Sequence, residues 1–266
     1  MIDSGVTAGE RLCNFVDHKL LGGEVWNDLE YLLGATGRAS QLVDFYRQIA
    51  AVTLTGRIVA AGRSTDENHP IGDPIFRKVY LEHLRDTIGI PSVHLNELYR
   101  ASVRAVQASL APIPGSVAKQ MRAWAILRHQ SCYMCGTSLD FDVAAKINSY
   151  TCEHIWPRHY GGDSIEENFL PACQSCNSRK KRDFATWVMP SVQTLLHGLN
   201  PEAQRLTEID GTYKFSLHYR AAQSLAIQKR RSMKQAFLEI GPWTDVRVVD
   251  LDDVADFFNL ENHLIQ

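Results

Sequence analysis

The chain has 266 residues, with 28 Lys and Arg against 30 Asp and Glu and a formal net charge of −2. That length allows one or two domains with their own cores, and so small a net charge excludes a protein that coats nucleic acid by bulk electrostatics. No apolar run approaches the roughly 18 residues that cross a bilayer, so no membrane role is expected. The opening Met1-Ile-Asp-Ser-Gly-Val lacks the basic and apolar regions of a secretory signal; the expectation is a cytoplasmic protein with reduced cysteines.

Residues 1–113 read as a helical domain, because apolar residues recur at spacings of three and four. Leu42, Phe45, Ile49 and Val52 make one face, Ile75, Val79, Leu81, Leu84 and Ile88 a second, and Leu95, Leu98, Val103, Val106 and Leu110 a third. Breakers separate them at 64–70 (Ser-Thr-Asp-Glu-Asn-His-Pro), at Gly72-Asp73-Pro74 and at Gly89-Ile90-Pro91. Partner binding, DNA recognition and self-association are the roles open to this part. Two prolines and a glycine in Ala111-Pro-Ile-Pro-Gly-Ser116 cannot continue a helix, which sets a boundary near 113 and a second domain over 114–266. Val117–Gln130 predicts a helix leading into the cysteines.

Cys132-Tyr-Met-Cys135 and Cys173-Gln-Ser-Cys176 are two C-x2-C knuckles. In a reducing compartment, four thiolates in such pairs match the tetrahedral preference of zinc better than two local disulfides or a redox motif. Cys13 and Cys152 stand alone and read as packing residues. Thirty-seven residues separate the knuckles, about twice the 15–20 of a plain zinc ribbon. The inserted stretch from Tyr150 to Cys173 reads as a short strand, a glycine turn at Gly161-Gly162 and a second apolar strand; a basic helix follows Cys176.

The order strand, loop, strand, helix carries Glu153-His154, then Asn168 in Glu-Asn-Phe-Leu-Pro, then Asn177 in Cys-Asn-Ser-Arg-Lys. This pattern resembles the HNH endonuclease family, the ββα-metal fold, in its zinc-clamped branch, with a core over about residues 128–188. Glu153 stands where aspartate or histidine is commoner, and Asn177 where histidine is. The resemblance implies a mainly helical protein with a small ββα-metal module: a helical N-terminal domain, a zinc-supported nuclease module and a helical C-terminal elaboration. It also implies His154 as general base, Asn168 as the residue that holds the site by hydrogen bonds, and Glu153 and Asn177 as oxygen ligands of a catalytic Mg²⁺ or Mn²⁺. The structural zinc falls to Cys132, Cys135, Cys173 and Cys176. Arg158, His159, Arg179, Lys180 and Lys181 are the candidate contacts to nucleic acid, with DNA as the implied substrate. Trp156 and Pro157 read as packing residues.

Beyond the module, Ala185–Leu199 and His218–Ile240 predict helices, and Leu206–Phe215 a short hairpin turning on Asp210-Gly211. Residues 188–238 hold seven Lys and Arg against three acidic residues, and 239–266 one against seven. Basic runs at 179–182 and 229–234 are therefore where a phosphate backbone would find partners, or else solvated helix faces. The acidic tail from Asp245 carries Phe257, Phe258 and Leu260 and predicts a docked helix. Two rival readings stay open: a non-catalytic zinc module binding nucleic acid or a partner protein, and an RNase or toxin nuclease. Phage defence or restriction of foreign DNA is the setting the resemblance suggests.

Overall fold

The computed structural model describes residues 6–23, 25–33, 39–142, 146–187, 218–219 and 221–243. The expected hairpin at 206–215, the helix beyond residue 187 and the acidic tail lie outside the described residues, as do the side chains of Leu42 and Phe45. The described chain is mainly helical with one two-stranded sheet. It divides into two compact units. The first is Met1–Lys119 together with His154–Phe169; the second is Gln120–Glu153 together with Leu170–Gln266. The sequence places a boundary near 113; here the cut falls inside the helix Gly115–Arg128, and the segment 154–169 counts with the N-terminal helices. Among the described residues no helix is long and apolar enough to cross a membrane.

In the first unit, α1 (Ala8–Phe15) begins on a capping box: Thr7 Oγ1 accepts from Glu10 N while the Glu10 carboxylate accepts from Thr7 N. α2 spans Val25–Leu33 and α3 Ala39–Asn68. The breaker expected at 64–70 does not end α3 until Asn68. Thr65 Oγ1 donates back to the Ala61 carbonyl at 2.9 Å, and only His69, restricted by Pro70 behind it, leaves the helix. α4 (Pro74–His83) has Asp73 as N-cap and Pro74 in its first turn.

The buried face of α4 is Phe76, Tyr80 and, one turn on, Leu84; Ile75, expected inside, is 50% exposed. The period of four was present, but the face sits one position along, because Tyr80 reaches the Ile58 carbonyl of α3 at 3.1 Å. α5 (Leu95–Leu110) buries Leu95, Leu98 and Val106 as expected, yet its stripe also contains Ser102, Ala105 and Ser109. Small residues there allow close approach: a Cβ on Gly62 of α3 would lie 2.4 Å from Val106 Cγ2.

In the second unit, α6 (Gly115–Arg128) leads to the first cysteine knuckle. Strands β1 (Tyr150–His154) and β2 (Phe169–Cys173) pair, and β2 is buried at all five positions. α7 (Gln174–Trp187) follows. The helix expected over His218–Ile240 is two helical runs, α8 over 221–229 and α9 (Met233–Ile240), broken where Arg230 takes φ 51°. Ser232 and Gln235 form a second capping box at that break, a signal already legible as Ser-x-x-Gln.

An aromatic cluster fills this unit: Phe237 packs on Tyr133, His218 and Tyr219 at ring separations of 5.2, 5.0 and 5.8 Å. His218 is 2% exposed and donates through Nε2 to the Gly241 carbonyl at 2.7 Å. Burial pushes its pKa down from 6.5 to about 4. A histidine held neutral in the fold takes up its proton more readily when unfolded. Its contribution is therefore present above pH 6.5 and lost as pH falls toward 4, a change of about 3 kcal/mol. Thermal midpoints measured from pH 7 to 4 should fall more steeply for the wild type than for His218→Gln, which keeps a donor toward Gly241; parallel profiles would rule this group out as a source of the slope.

Candidate functional site

The first knuckle is shaped by its backbone. Cys132 N donates to the Thr137 carbonyl at 2.8 Å, and Gly136 N to the Cys132 carbonyl at 2.9 Å, with Gly136 at φ 72°. That left-handed turn, which glycine adopts without steric cost, returns the chain so that the Thr137 carbonyl meets Cys132 N. The second knuckle straddles the end of β2 and the first turn of α7, where Cys176 N donates to Cys173 Sγ at 3.4 Å. All four sulfurs lie within 4.8 Å of one another, with Cys135 and Cys173 at 3.8 Å, and none is in a disulfide. Four sulfurs at about 2.3 Å from a tetrahedral zinc would stand about 3.8 Å apart, so the cluster has the donor set and spacing for that ion. Arg179 lies beside it, half-buried, in a pocket of about 250 Å³ shared with Trp243, Asn148 and the sulfurs of Cys135 and Cys173.

Glu153 is 4% exposed and faces α7. Its Oε2 accepts from Lys180 Nζ at 2.8 Å and from the Tyr133 hydroxyl at 3.0 Å, and Lys180 also reaches the Tyr133 oxygen at 3.2 Å. Lys180, expected against phosphate, is thus 2% exposed and holds the carboxylate expected as a metal ligand. Two buried opposite charges compensate one another here. Burial pulls the Lys180 ammonium down from its usual range, with Glu153 opposing, and the same burial pushes the Tyr133 hydroxyl well up. Tyr133 lies inside the first knuckle, and the sequence reading did not single it out; nothing but its place between the cysteines marked it.

Asn177, in the first turn of α7, is 8% exposed. A carboxamide oxygen is a hard donor of the kind Mg²⁺ takes. Glu153 supplies charge of the right sign but already shares its Oε2 with an ammonium.

His154 ends β1, half-buried, with its ring 4.3 Å from that of Phe169 and its Nε2 3.1 Å from Ser164 Oγ. A hydroxyl both donates and accepts, so Ser164 orients the ring without imposing a tautomer. Asn168 lies just before β2, in a short 3-10 turn, and is 3% exposed. Its Oδ1 accepts from Trp156 N at 2.8 Å, and its Nδ2 donates to the carbonyls of Trp156 and Asp163 at 3.0 and 2.9 Å. With Ile155 N on its carbonyl at 2.8 Å, this one residue closes both ends of the loop that begins at His154.

Residues 132–183 match the family model described as HNH endonuclease.

The match begins at the first knuckle cysteine, ends in α7, and contains all four sulfurs and every candidate site residue, while covering well under half of the chain. An HNH domain is a metal-dependent nuclease domain acting on nucleic acid. No curated protein and no solved structure matches the chain. The HNH segment is shared between the units: its loop 154–169 lies in the first, and its cysteines, Glu153 and Asn177 in the second.

Within the HNH loop, Arg158 is half-buried and His159 exposed. His159 Nδ1 lies 2.7 Å from Arg63 Nη1 of α3, a guanidinium that no motif in the sequence marked. Lys181 falls in α7, but its side chain lies outside the described residues. In the basic run 229–234, Lys229 and Arg231 both pair with Glu239, and Lys234 lies 5.0 Å over the Trp124 ring.

Cys173→Ser should lower bound zinc from about one ion per chain and unfold the second unit, since structural zinc contributes roughly 10–16 kcal/mol in small zinc domains. Metal analysis with thermal melts checks this; full zinc retention would remove Cys173 from the ligand set. For the buried pair, Lys180→Met alone should cost about 3–5 kcal/mol by stranding a carboxylate, and the double variant Glu153→Gln/Lys180→Met markedly less. Equal losses in urea titrations of the single and double variants would mean that the pair carries no coupled charge.

Proposed function

We propose that this protein is an HNH endonuclease that hydrolyses phosphodiester bonds in DNA, nicking one strand per site. The reading is carried by the buried, three-bonded Asn168 closing the loop that starts at His154, inside a segment that matches the HNH family. His154 is the general base: its imidazole takes the proton of the water that attacks phosphorus. Ser164 and the Phe169 ring keep that imidazole in one orientation. Asn168 is a positioning residue.

Cys132, Cys135, Cys173 and Cys176 hold a structural Zn²⁺ and take no part in the chemistry. Asn177, with Glu153, would hold Mg²⁺ or Mn²⁺; bound there, such an ion supplies a positive charge that stabilises the phosphate as bonds change. Lys180 meanwhile holds the Glu153 carboxylate toward α7. Arg158, His159, Arg179 and Lys181 are the proposed contacts to adjacent phosphates, and Lys180 is set apart from them by its burial. A cytoplasmic role in defence against foreign DNA suits such an enzyme.

The Lys180–Glu153 pair is also the one observation that favours the rival reading, a non-catalytic zinc module. A plasmid assay with Mg²⁺ or Mn²⁺ separates the two. Wild type should convert supercoiled plasmid to the nicked form, and His154→Ala should be slower by about 10²–10⁴-fold, the usual worth of a general base. Equal rates for the two proteins, or no nicking at all, would leave the binding-module reading. Parallel incubation with RNA, single-stranded DNA and duplex DNA tests the substrate; preferential loss of RNA would overturn the DNA assignment.

A further inference from the structure

The first turn of α1 has three backbone N–H groups that its own helix cannot satisfy, and two of them are taken by the HNH loop. Glu10 N bonds its own cap, Thr7 Oγ1, at 3.2 Å. Ala8 N donates to Asp163 Oδ2 at 2.5 Å, and Gly9 N to the Gly161 carbonyl at 2.8 Å. A carboxylate at this end of a helix is also favoured by the helix dipole.

The contact is close enough to exclude a side chain. A Cβ on Gly9 would lie 2.1 Å from the Tyr160 carbonyl oxygen and 2.3 Å from Trp156 Nε1, two atoms already bonded to each other at 2.9 Å. The same corner of the loop is received by small residues on two further helices. A Cβ on Gly56 of α3 would meet the Tyr160 ring at 2.6 Å, and one on Gly161 would meet Ala105 Cβ of α5 at 2.6 Å. Three helices thus meet the loop at three positions where the chain carries glycine or alanine.

From that corner the contacts run to the base. Asp163 binds α1 with its side chain and Asn168 Nδ2 with its carbonyl. The next residue, Ser164, presents its hydroxyl to His154 Nε2 at 3.1 Å. Whatever fixes the Asp163 backbone therefore fixes the oxygen that orients the imidazole. The loop is too short to bury an apolar core of its own, and the helices supply one, with Trp156 fully buried.

We infer that the N-terminal helices position the general base, acting through the contacts of Gly9 and Asp163 between α1 and the loop that carries the His154–Ser164 pair. This rests on the reading of His154 as the base. Asp163 and Gly9 are positioning residues; neither meets the substrate. A displacement of about 1 Å at a reacting group can cost on the order of 10²-fold in rate, which sets the size of the effect.

The test compares full-length wild type, Asp163→Ala, Asp163→Asn and Gly9→Ala in plasmid nicking, with amide hydrogen exchange over 155–164 and zinc content measured on each. Asp163→Ala and Gly9→Ala should lose about 10–100-fold in kcat with KM changed less than about threefold. Asp163→Asn, which keeps an oxygen to accept from Ala8 N, should recover most of the loss. Exchange over 155–164 should quicken in the two damaging variants while zinc content holds. An unchanged kcat, a loss confined to KM, or Asn no better than Ala at 163 would overturn the inference. If the wild type cuts nothing, the nuclease reading fails by itself. Exchange then decides the contact: unchanged protection in Asp163→Ala overturns it, and quickened exchange upholds α1 as the element that holds the loop.

Discussion

Four sulfurs within 4.8 Å of one another are the constraint on which the second unit depends. The two strands have five residues each and bury little apolar surface by themselves, and four thiolates this close would repel one another without a cation among them. A cation held there would tie the first knuckle to the start of α7. Glu153 lies on β1, the strand paired with β2, and Asn177 on α7.

The Glu153–Lys180 pair shows what burial asks of two charged side chains. On sequence, a carboxylate beside a histidine and a lysine in a basic run are a ligand and a phosphate contact. In the fold, both side chains are nearly inaccessible, and an unpaired charge there would be costly, so each is compensated first by the other and by Tyr133. Asn177 differs because a neutral carboxamide tolerates a buried place without a counter-charge, at a smaller penalty. His154 is arranged otherwise again: half-buried, beside a hydroxyl and an aromatic ring rather than a charge.

The HNH loop and the first helices share the reverse dependence. The loop supplies acceptors for donors that α1 leaves open, and the helices supply the apolar cover that Trp156 needs. Each completes the other's hydrogen bonds, which explains why the segment 154–169 belongs with residues from the opposite end of the chain.

What the sequence by itself determined was local: the two knuckles, whose spacing is dictated by how a short turn presents two sulfurs; the helical class, from periods of three and four; and the HNH resemblance of the segment that holds Glu153, His154, Asn168 and Asn177. These are properties of neighbouring residues and of the backbone between them. Tertiary structure alone decided the rest. The buried face of α4 shifted by one residue because α3 offered a carbonyl to Tyr80. Lys180 turned inward to Glu153, Arg63 came to His159 across nearly a hundred residues, and Gly9 became a contact point for Tyr160 and Trp156. Such pairings join residues whose separation along the chain says nothing about their distance in space, and their energies come from desolvation and close packing, which exist only once the chain has folded.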